Sequence, residues 1–376
     1  MKEISPHPPT LSPLAERGRP VRIGVIGAGK FGTVHLNTFR QLGYDGVAEL
    51  AAAAETDAER AEEVRRDYGC QVFQDYREMI EKVEMDGVTV VTPDFLHREM
   101  VLAAAKAGLH ILVEKPMDVT VQGCDAMIAA AKATGILLQV DFHKRYDPEH
   151  RNLAQRVGRG DLGEILYGYV HMEDRIEIPT EWFPHWAPKS SPVWFLGTHF
   201  FDLIRWVTKL EAKRVYATGN KKRLLNDFGV DTFDNISAKV EYENGASICY
   251  DVSWIIPKSF EAVVNQALRL VGTKGMWEVD TQDRGSRSCV DGEGMRTHNS
   301  SFMSEQADKL GRTVFRGYGT ESIADFAYNL KFLKEGGSLE QLSGKYPSGE
   351  DGREVTRLAV AIHKSIKTGK VVRVQS

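Results

Sequence analysis

The chain has 376 residues, 42% hydrophobic and 27% charged, enough for two globular domains with separate cores. A formal net charge of −4 gives no broad basic footprint for nucleic acid or an anionic membrane surface, and no apolar run approaches the roughly 20 residues of a membrane helix. Cys70, Cys124, Cys249 and Cys289 lie far apart with no metal or redox spacing, so a reducing cytosol is expected and a metal centre is not.

Residues 1–20 hold five prolines and no apolar core of a signal peptide, and read as a disordered lead-in. Val21, Ile23, Val25 and Ile26 predict a buried strand. Gly27-Ala28-Gly29-Lys30-Phe31-Gly32 follows, and a helix pattern begins at Thr33. A GxGxxG between strand and helix is the context in which it cradles a dinucleotide pyrophosphate. The next strand, AELAAAAETD, ends in Glu55, 23 residues after Gly32. A carboxylate there suits the ribose hydroxyls and repels a 2′-phosphate, which predicts NAD over NADP.

Helices are predicted over 57–68, 75–82, 96–107 and 121–134, alternating with strands CQVF, GVTVVT, HILVEKP and ILLQVDF. That alternation predicts an α/β doubly wound parallel sheet of the Rossmann type, with ligands at the carboxyl ends of its strands. Those ends carry Thr92-Pro93-Asp94 with His97, Glu114-Lys115-Pro116, and Asp141 to Tyr146, including Arg145. Lys115 leaves a buried strand at the cofactor end, where partial desolvation favours proton transfer.

Further on, ILYGYVHMED alternates, with Ile165, Tyr167, Tyr169 and His171 assigned to one face. NISAKVEY and ASICYDVSW flank a turn at Glu243-Asn244-Gly245, and AVVNQALRLVG and GMWEVDTQ flank Thr273-Lys274-Gly275. This predicts an antiparallel sheet. Helices are expected over 320–333 and 351–368, then a strand KVVRV. The stretch SPVWFLGTHFFDLIRWV reads as one helix with His199 inside its apolar stripe. Before it, a loop carrying Glu173, Asp174, Trp182, Trp186, Lys189, Ser190 and Trp194 suits a sugar ring, or else its tryptophans pack on the sheet. A second polar loop offers Arg284, His298 and Asn299.

GAGKFG, TPDFLH and VEKP after AAAKAGLHIL together resemble the glucose–fructose oxidoreductase/inositol dehydrogenase/MocA family over residues 21 to about 150, and more weakly through GTHFFDLIRW and GYGTESIADF. The resemblance implies a Rossmann domain at 21–146 and an α+β domain with a large open antiparallel sheet at 147–376, its last helix packing back near the first domain. It implies a nicotinamide cofactor, NAD here, held by Gly27 to Gly32, Glu55, Thr92, Pro93, Asp94, His97, Glu114, Lys115 and Arg145. It implies a sugar, sugar acid or cyclitol substrate, with Lys115 and His199 handling the hydroxyl proton and Tyr146 among the substrate contacts. A homodimer or homotetramer through the open sheet is expected. Many members carry Asp four residues before the site histidine; this chain has Phe195. Asp202, three residues after His199, is then a candidate to orient it or to pair with Arg205. The family also includes redox-assisted lyases or glycosidases, for which His143, Tyr146 or His185 would supply a base, and a non-catalytic NAD and sugar sensor is a third possibility.

Overall fold

The computed structural model describes residues 18–280 and 286–374, so most of the expected lead-in lies outside the described residues. The chain divides into two units. One comprises residues up to Asp141 together with Glu305–Arg353; the other comprises Phe142–Ser304 and Glu354 onward. The boundary expected at 146/147 thus differs, because the first unit also takes a late segment.

The first unit begins β1 (Val21–Ile26), α1 (Lys30–Tyr44), β2 (Ala48–Ala54), α2 (Ala58–Tyr68), β3 (Gln71–Phe73), α3 (Tyr76–Lys82) and β4 (Gly87–Val90). It continues α4 (His97–Lys106), β5 (His110–Val113), α5 (Val121–Thr134) and β6 (Leu138–Val140). The six strands form one sheet in the order β3-β2-β1-β4-β5-β6, and every pair is parallel. This is the doubly wound order with a switch point between β1 and β4. Asp57, Asp75 and Thr120 each accept a backbone N–H of the helix they open. Helix α1 starts at Lys30 rather than Thr33, because the second half of the glycine motif is already helical.

The second unit opens with α6 (Pro148–Gly158), β7 (Ile165–Arg175), α7 (Thr198–Thr208), β8 (Ala212–Asn220), α8 (Arg223–Phe228), β9 (Asn235–Tyr242), β10 (Ser247–Ile256), β11 (Val264–Gly272) and β12 (Met276–Asp280). A hairpin, β13 (Ser286–Val290) and β14 (Gly294–His298), replaces the second polar loop expected there. Arg284 lies outside the described residues. The chain then returns to the first unit with β15 (Ser304–Ala307), β16 (Thr313–Arg316), α9 (Tyr318–Lys334) and α10 (Leu339–Leu342), and α11 (Gly349–Thr368) leads back to the second, which ends in β17 (Val372–Arg373).

The large sheet runs β12-β11-β7-β10-β9-β8-β17. It is mixed rather than antiparallel throughout: β7 and β10 pair in parallel, since the chain between them crosses over through α7 before β8 and β9 are added. Tyr167 and Tyr169 share a face, as expected, and that face is exposed. Ile165 is buried instead, next to a register shift against β11 that breaks the strict alternation.

Helix α9 completes the first core. Ile323, Phe326, Ala327 and Leu330 are buried together with Val21, Ile23, Val25, Leu36 and Phe39 from β1 and α1. Burying Ile323, Phe326 and Leu330 contributes several kcal/mol at about 1.5–3 kcal/mol per large apolar group, which is why a segment this late in the chain belongs to the first unit.

Candidate active site

In the first unit the carboxyl ends of the strands carry the candidate residues side by side. Backbone hydrogen bonds continue the sheet past the strand ends, from Gly27 to Ala54, Glu55 to Phe73, Val91 to Ile26, Glu114 to Val90 and Asp141 to Val113. Gly27 has φ +94°, and a Cβ there would meet the Val91 carbonyl oxygen at 2.4 Å. One on Gly32 would meet the Gly27 carbonyl oxygen at 2.1 Å. Both positions therefore require glycine.

The start of α1 has no side-chain cap and no acid in its first turn, and Gly29 at its N-cap is exposed with open space around it. Backbone N–H groups are left for an anion. Ala28 is buried, Lys30 exposed, and Phe31 packs edge-on to His35 at 5.8 Å. Glu55 reaches back to this turn and accepts from Ala28 N–H at 2.8 Å and Asp57 N–H at 3.0 Å. Arg60, which the sequence reading passed over, fastens the same turn by donating to the Ala28 carbonyl and to Thr33 Oγ1. An uncapped helix start, an open Gly29 and an acid beside them fit a dinucleotide.

Thr92, Pro93 and Asp94 form the turn after β4, with Asp94 Oδ1 accepting from Phe95 N–H. His97 ties this turn to the next strand end, its Nε2 lying 2.8 Å from the Thr92 carbonyl and its Nδ1 2.9 Å from that of Pro116. His97 is buried and acts as a strut between two loops. Lys115 lies half-buried between Glu114 and Pro116, and the Lys115–Pro116 bond is cis. Glu114 turns inward: it is buried and its Oε1 meets His35 Nε2 at 3.1 Å, with Asp141 Oδ2 3.9 Å from the same nitrogen. The sequence reading took Glu114 for a cofactor contact and missed His35, whose only signal was its place one turn after Gly32.

In the second unit, the stretch around His199 is not one α-helix. Val193–Gly197 forms a π-helical turn and α7 begins at Thr198. The wider turn removes the premise that Phe195 shares a helical face with His199. Phe195 instead packs among Trp186, Trp254 and Phe183, with ring centroids 5.1, 5.7 and 6.0 Å away. His199 is buried, and its ring centroid lies 4.6 Å from that of His143.

Asp202 binds Arg145 through both carboxylate oxygens, and both residues are buried. Arg205 pairs with Glu211. Arg145, expected at the cofactor, thus has its guanidinium engaged inside the second unit. Lys144, also unforeseen, is buried, bonds Gln266 and lies 4.7 Å over the Phe200 ring.

The residues expected to bind a sugar are dispersed in role. Tyr146 is buried beneath Arg151. Glu173 accepts from Asn265 Nδ2. Trp194 stacks on His363 at 5.2 Å, so one ring face is covered, and Trp186 packs against Phe183 and Phe195. Trp182 is exposed. Lys189 is exposed, Asp174 and Ser190 are buried, and the Ser190 carbonyl accepts from Thr232. His298 faces Ser288, and Asn299 caps Phe302 N–H.

Residues 21–142 match the family model described as "Oxidoreductase family, NAD-binding Rossmann fold", and residues 150–278 match the "GFO/IDH/MocA C-terminal domain". The chain is similar to myo-inositol 2-dehydrogenase of Thermotoga maritima, with 26% identity over 371 residues, 94% of this chain and 99% of that protein. It is 31% identical to inositol 2-dehydrogenase 3 of Saccharopolyspora erythraea over 231 residues, 59% of this chain and 66% of that one. Its fold matches the crystal structure of scyllo-inositol dehydrogenase from Lactobacillus casei with bound cofactor NAD(H) and scyllo-inositol, at TM-score 0.74 and 19% identity, over 95% of this chain and 100% of that chain. With both of its principal segments matched, the chain belongs to the GFO/IDH/MocA family of NAD-binding oxidoreductases.

Proposed function

We propose that the protein oxidises a ring hydroxyl of a cyclitol, or of a sugar or sugar acid, with NAD. The observation that carries this reading is the uncapped N-terminus of α1 beside the Gly27–Gly32 turn, with Glu55 hydrogen-bonded to that turn and Lys115 leaving the same edge of the sheet. Gly29 and the first N–H groups of α1 would hold the pyrophosphate, and Glu55 would exchange its Ala28 contact for the ribose hydroxyls. NAD supplies the hydride acceptor when bound. Lys115 takes the hydroxyl proton or stabilises the developing alkoxide, and His199 is assigned to the same proton transfer. The cyclitol preference rests on the relatives: two similar proteins are named inositol dehydrogenases.

The open sheet supports a homo-oligomer. Tyr167, Tyr169, Tyr216 and Met276 are exposed large side chains on its strands, and exposed apolar side chains on an open sheet are commonly covered by a second copy. No disulfide joins the four cysteines, which agrees with a reducing compartment such as the cytoplasm. Among the described residues no helix is long and apolar enough to cross a membrane.

The test is a panel of inositols, sugars and sugar acids with NAD and with NADP, read by absorbance of the reduced nicotinamide. Net NADH formed with a cyclitol or sugar supports the dehydrogenase. Product without net NADH replaces it with the lyase or glycosidase reading, and binding without hydride exchange to deuterated cofactor replaces it with the sensor.

A further inference from the structure

We propose that His35, Glu114 and Asp141 form a buried proton-sharing cluster that sets the protonation of Lys115, the chain neighbour of Glu114. The inference rests on the reading of Lys115 as the proton-transfer residue.

The three side chains come from α1 and from the ends of β5 and β6. His35 and Asp141 are wholly buried and Glu114 nearly so. One donor atom from each lies within 4.8 Å of the others. The His35 Nε2–Glu114 Oε1 contact of 3.1 Å is a hydrogen bond, and Asp141 Oδ2 is 3.9 Å from the same nitrogen. The edges of Phe31 and Phe39 flank the imidazole, at 5.8 and 6.4 Å between centroids. From α9, Ser322 acts on Asp141, whereas the carboxylate of Asp325 bonds the amides of Gln139 and Asn329. Lys115 is the cation acting on Glu114.

The charge state follows from this geometry. Two carboxylates enclosed together without an arginine cannot both ionise, because each desolvated charge costs several kcal/mol and the two repel. Glu114 has His35 Nε2 at hydrogen-bond distance and Lys115 as a neighbouring cation, whereas Asp141 is wholly buried with Glu114 beside it, so Asp141 is the one that keeps a proton. Burial, and then Glu114, hold its acid well above the ordinary carboxylate range. Burial raises Glu114 to about 7, with Asp141 and Lys115 opposing. His35 is pushed down to about 4 by burial, so it is neutral and donates its one ring hydrogen from Nε2 to Glu114, leaving Nδ1 without a partner. The cluster therefore carries at most one negative charge near neutral pH. That charge sits on Glu114, next in the chain to Lys115, and favours the lysine's protonated form. A lysine that must be neutral to accept the hydroxyl proton thus has its working pH set from beneath.

Infrared spectroscopy of the wild-type protein at about pH 8.5, where Glu114 at about 7 is ionised, is the direct test. A buried protonated carboxyl band is expected, absent in Asp141→Asn and kept in Glu114→Gln. In the pH profile of kcat for alcohol oxidation, Glu114→Gln should move the acidic limb to lower pH by about one unit or more. His35→Leu should move it the same way, and His35→Gln, which retains an N–H donor, should largely restore it. The proposal is overturned by an absent carboxyl band in the wild type, by a bound cation in place of the proton, or by a Glu114→Gln limb that stays put. Turnover surviving in Lys115→Met sinks the catalytic reading instead, while the infrared result still reports on the cluster alone.

Discussion

Arg145 and Asp202 form a buried two-point ion pair, with Nε donating to Oδ2 at 2.7 Å and Nη2 to Oδ1. The guanidinium carbon also lies 5.9 Å from the centroids of the Phe142 and Trp206 rings. Removing one partner of such a pair strands a charge away from water. Asp202→Asn is therefore expected to lower stability by about 3–5 kcal/mol, read from urea unfolding midpoints at constant slope. Arg145→Lys should not be benign, since an ammonium cannot reproduce the planar fork. A loss below about 1 kcal/mol in Asp202→Asn, the range of exposed pairs, would show that the pair is solvated.

Phe195 occupies the position where many family members carry an aspartate, so Phe195→Asp invites the expectation of a repaired site. The π-helical turn and the aromatic surroundings predict the reverse. A carboxylate there would face Trp186, Trp254 and Phe183 while losing their ring contacts. Stability should fall by about 3 kcal/mol and kcat should not rise. An increase in kcat with unchanged stability would return Phe195 to the face of His199.

How much of this was legible beforehand follows from the range over which each interaction acts. The alternation of strand and helix, and the pairing of Gly27 with Gly32, are local, and short-range pattern captures them. The fate of Arg145 was not legible, because its partner lies 57 residues away and Asp202 had nearer cations to choose from. Glu114 looked like a cofactor contact because it adjoins Lys115, and only the packing of α1 against β5 and β6 shows that its carboxylate faces His35. The π-helical turn was hidden for another reason: apolar spacing hardly distinguishes a turn of five residues from one of 3.6 over so short a run. The parallel pairing of β7 with β10 joins strands about 80 residues apart, beyond any hairpin signal.

Lys115→Met removes the ammonium while keeping the length of the side chain. NAD affinity, read by calorimetry, should stay within a few fold, and kcat on a verified substrate should fall by about 10²-fold or more, the usual weight of a general acid–base group. Loss of NAD binding with kcat preserved at saturation would reassign Lys115 to the cofactor alone.

Glu55→Ala removes the acceptor beside the glycine turn and leaves Arg60 next to the Ala28 carbonyl and Thr33. A hydrogen bond to a charged group contributes about 1.5–3 kcal/mol, so the Kd for NAD should rise roughly 10- to 100-fold. NADP should gain relative to NAD, since the repelling carboxylate is gone and a cation remains. Equal losses for both cofactors would mean that Glu55 serves only to brace the turn.

The pH dependence of stability has opposing contributions that can be separated. His110 Nδ1 accepts the Leu137 N–H at 2.9 Å, a bond that protonation would break, and burial lowers its imidazole to about 4. Against an unfolded value near 6.5, the folded chain resists a proton that the unfolded chain takes. Its contribution is complete above about pH 6.5 and is lost as the pH falls toward 4, about 2–3 kcal/mol in all. His35, also lowered to about 4, adds to the same window. Glu114 acts in the opposite sense: raised to about 7, it contributes below its unfolded value near 4.5, and that contribution is lost as the pH rises through 7. Unfolding free energies measured by urea from pH 4.5 to 8 should therefore fall on the acid side. In His110→Gln the drop between pH 7 and 4.5 should shrink by about 2 kcal/mol, whereas in Glu114→Gln the loss on the alkaline side should shrink. An acid-side slope unchanged in His110→Gln would assign that loss to other groups.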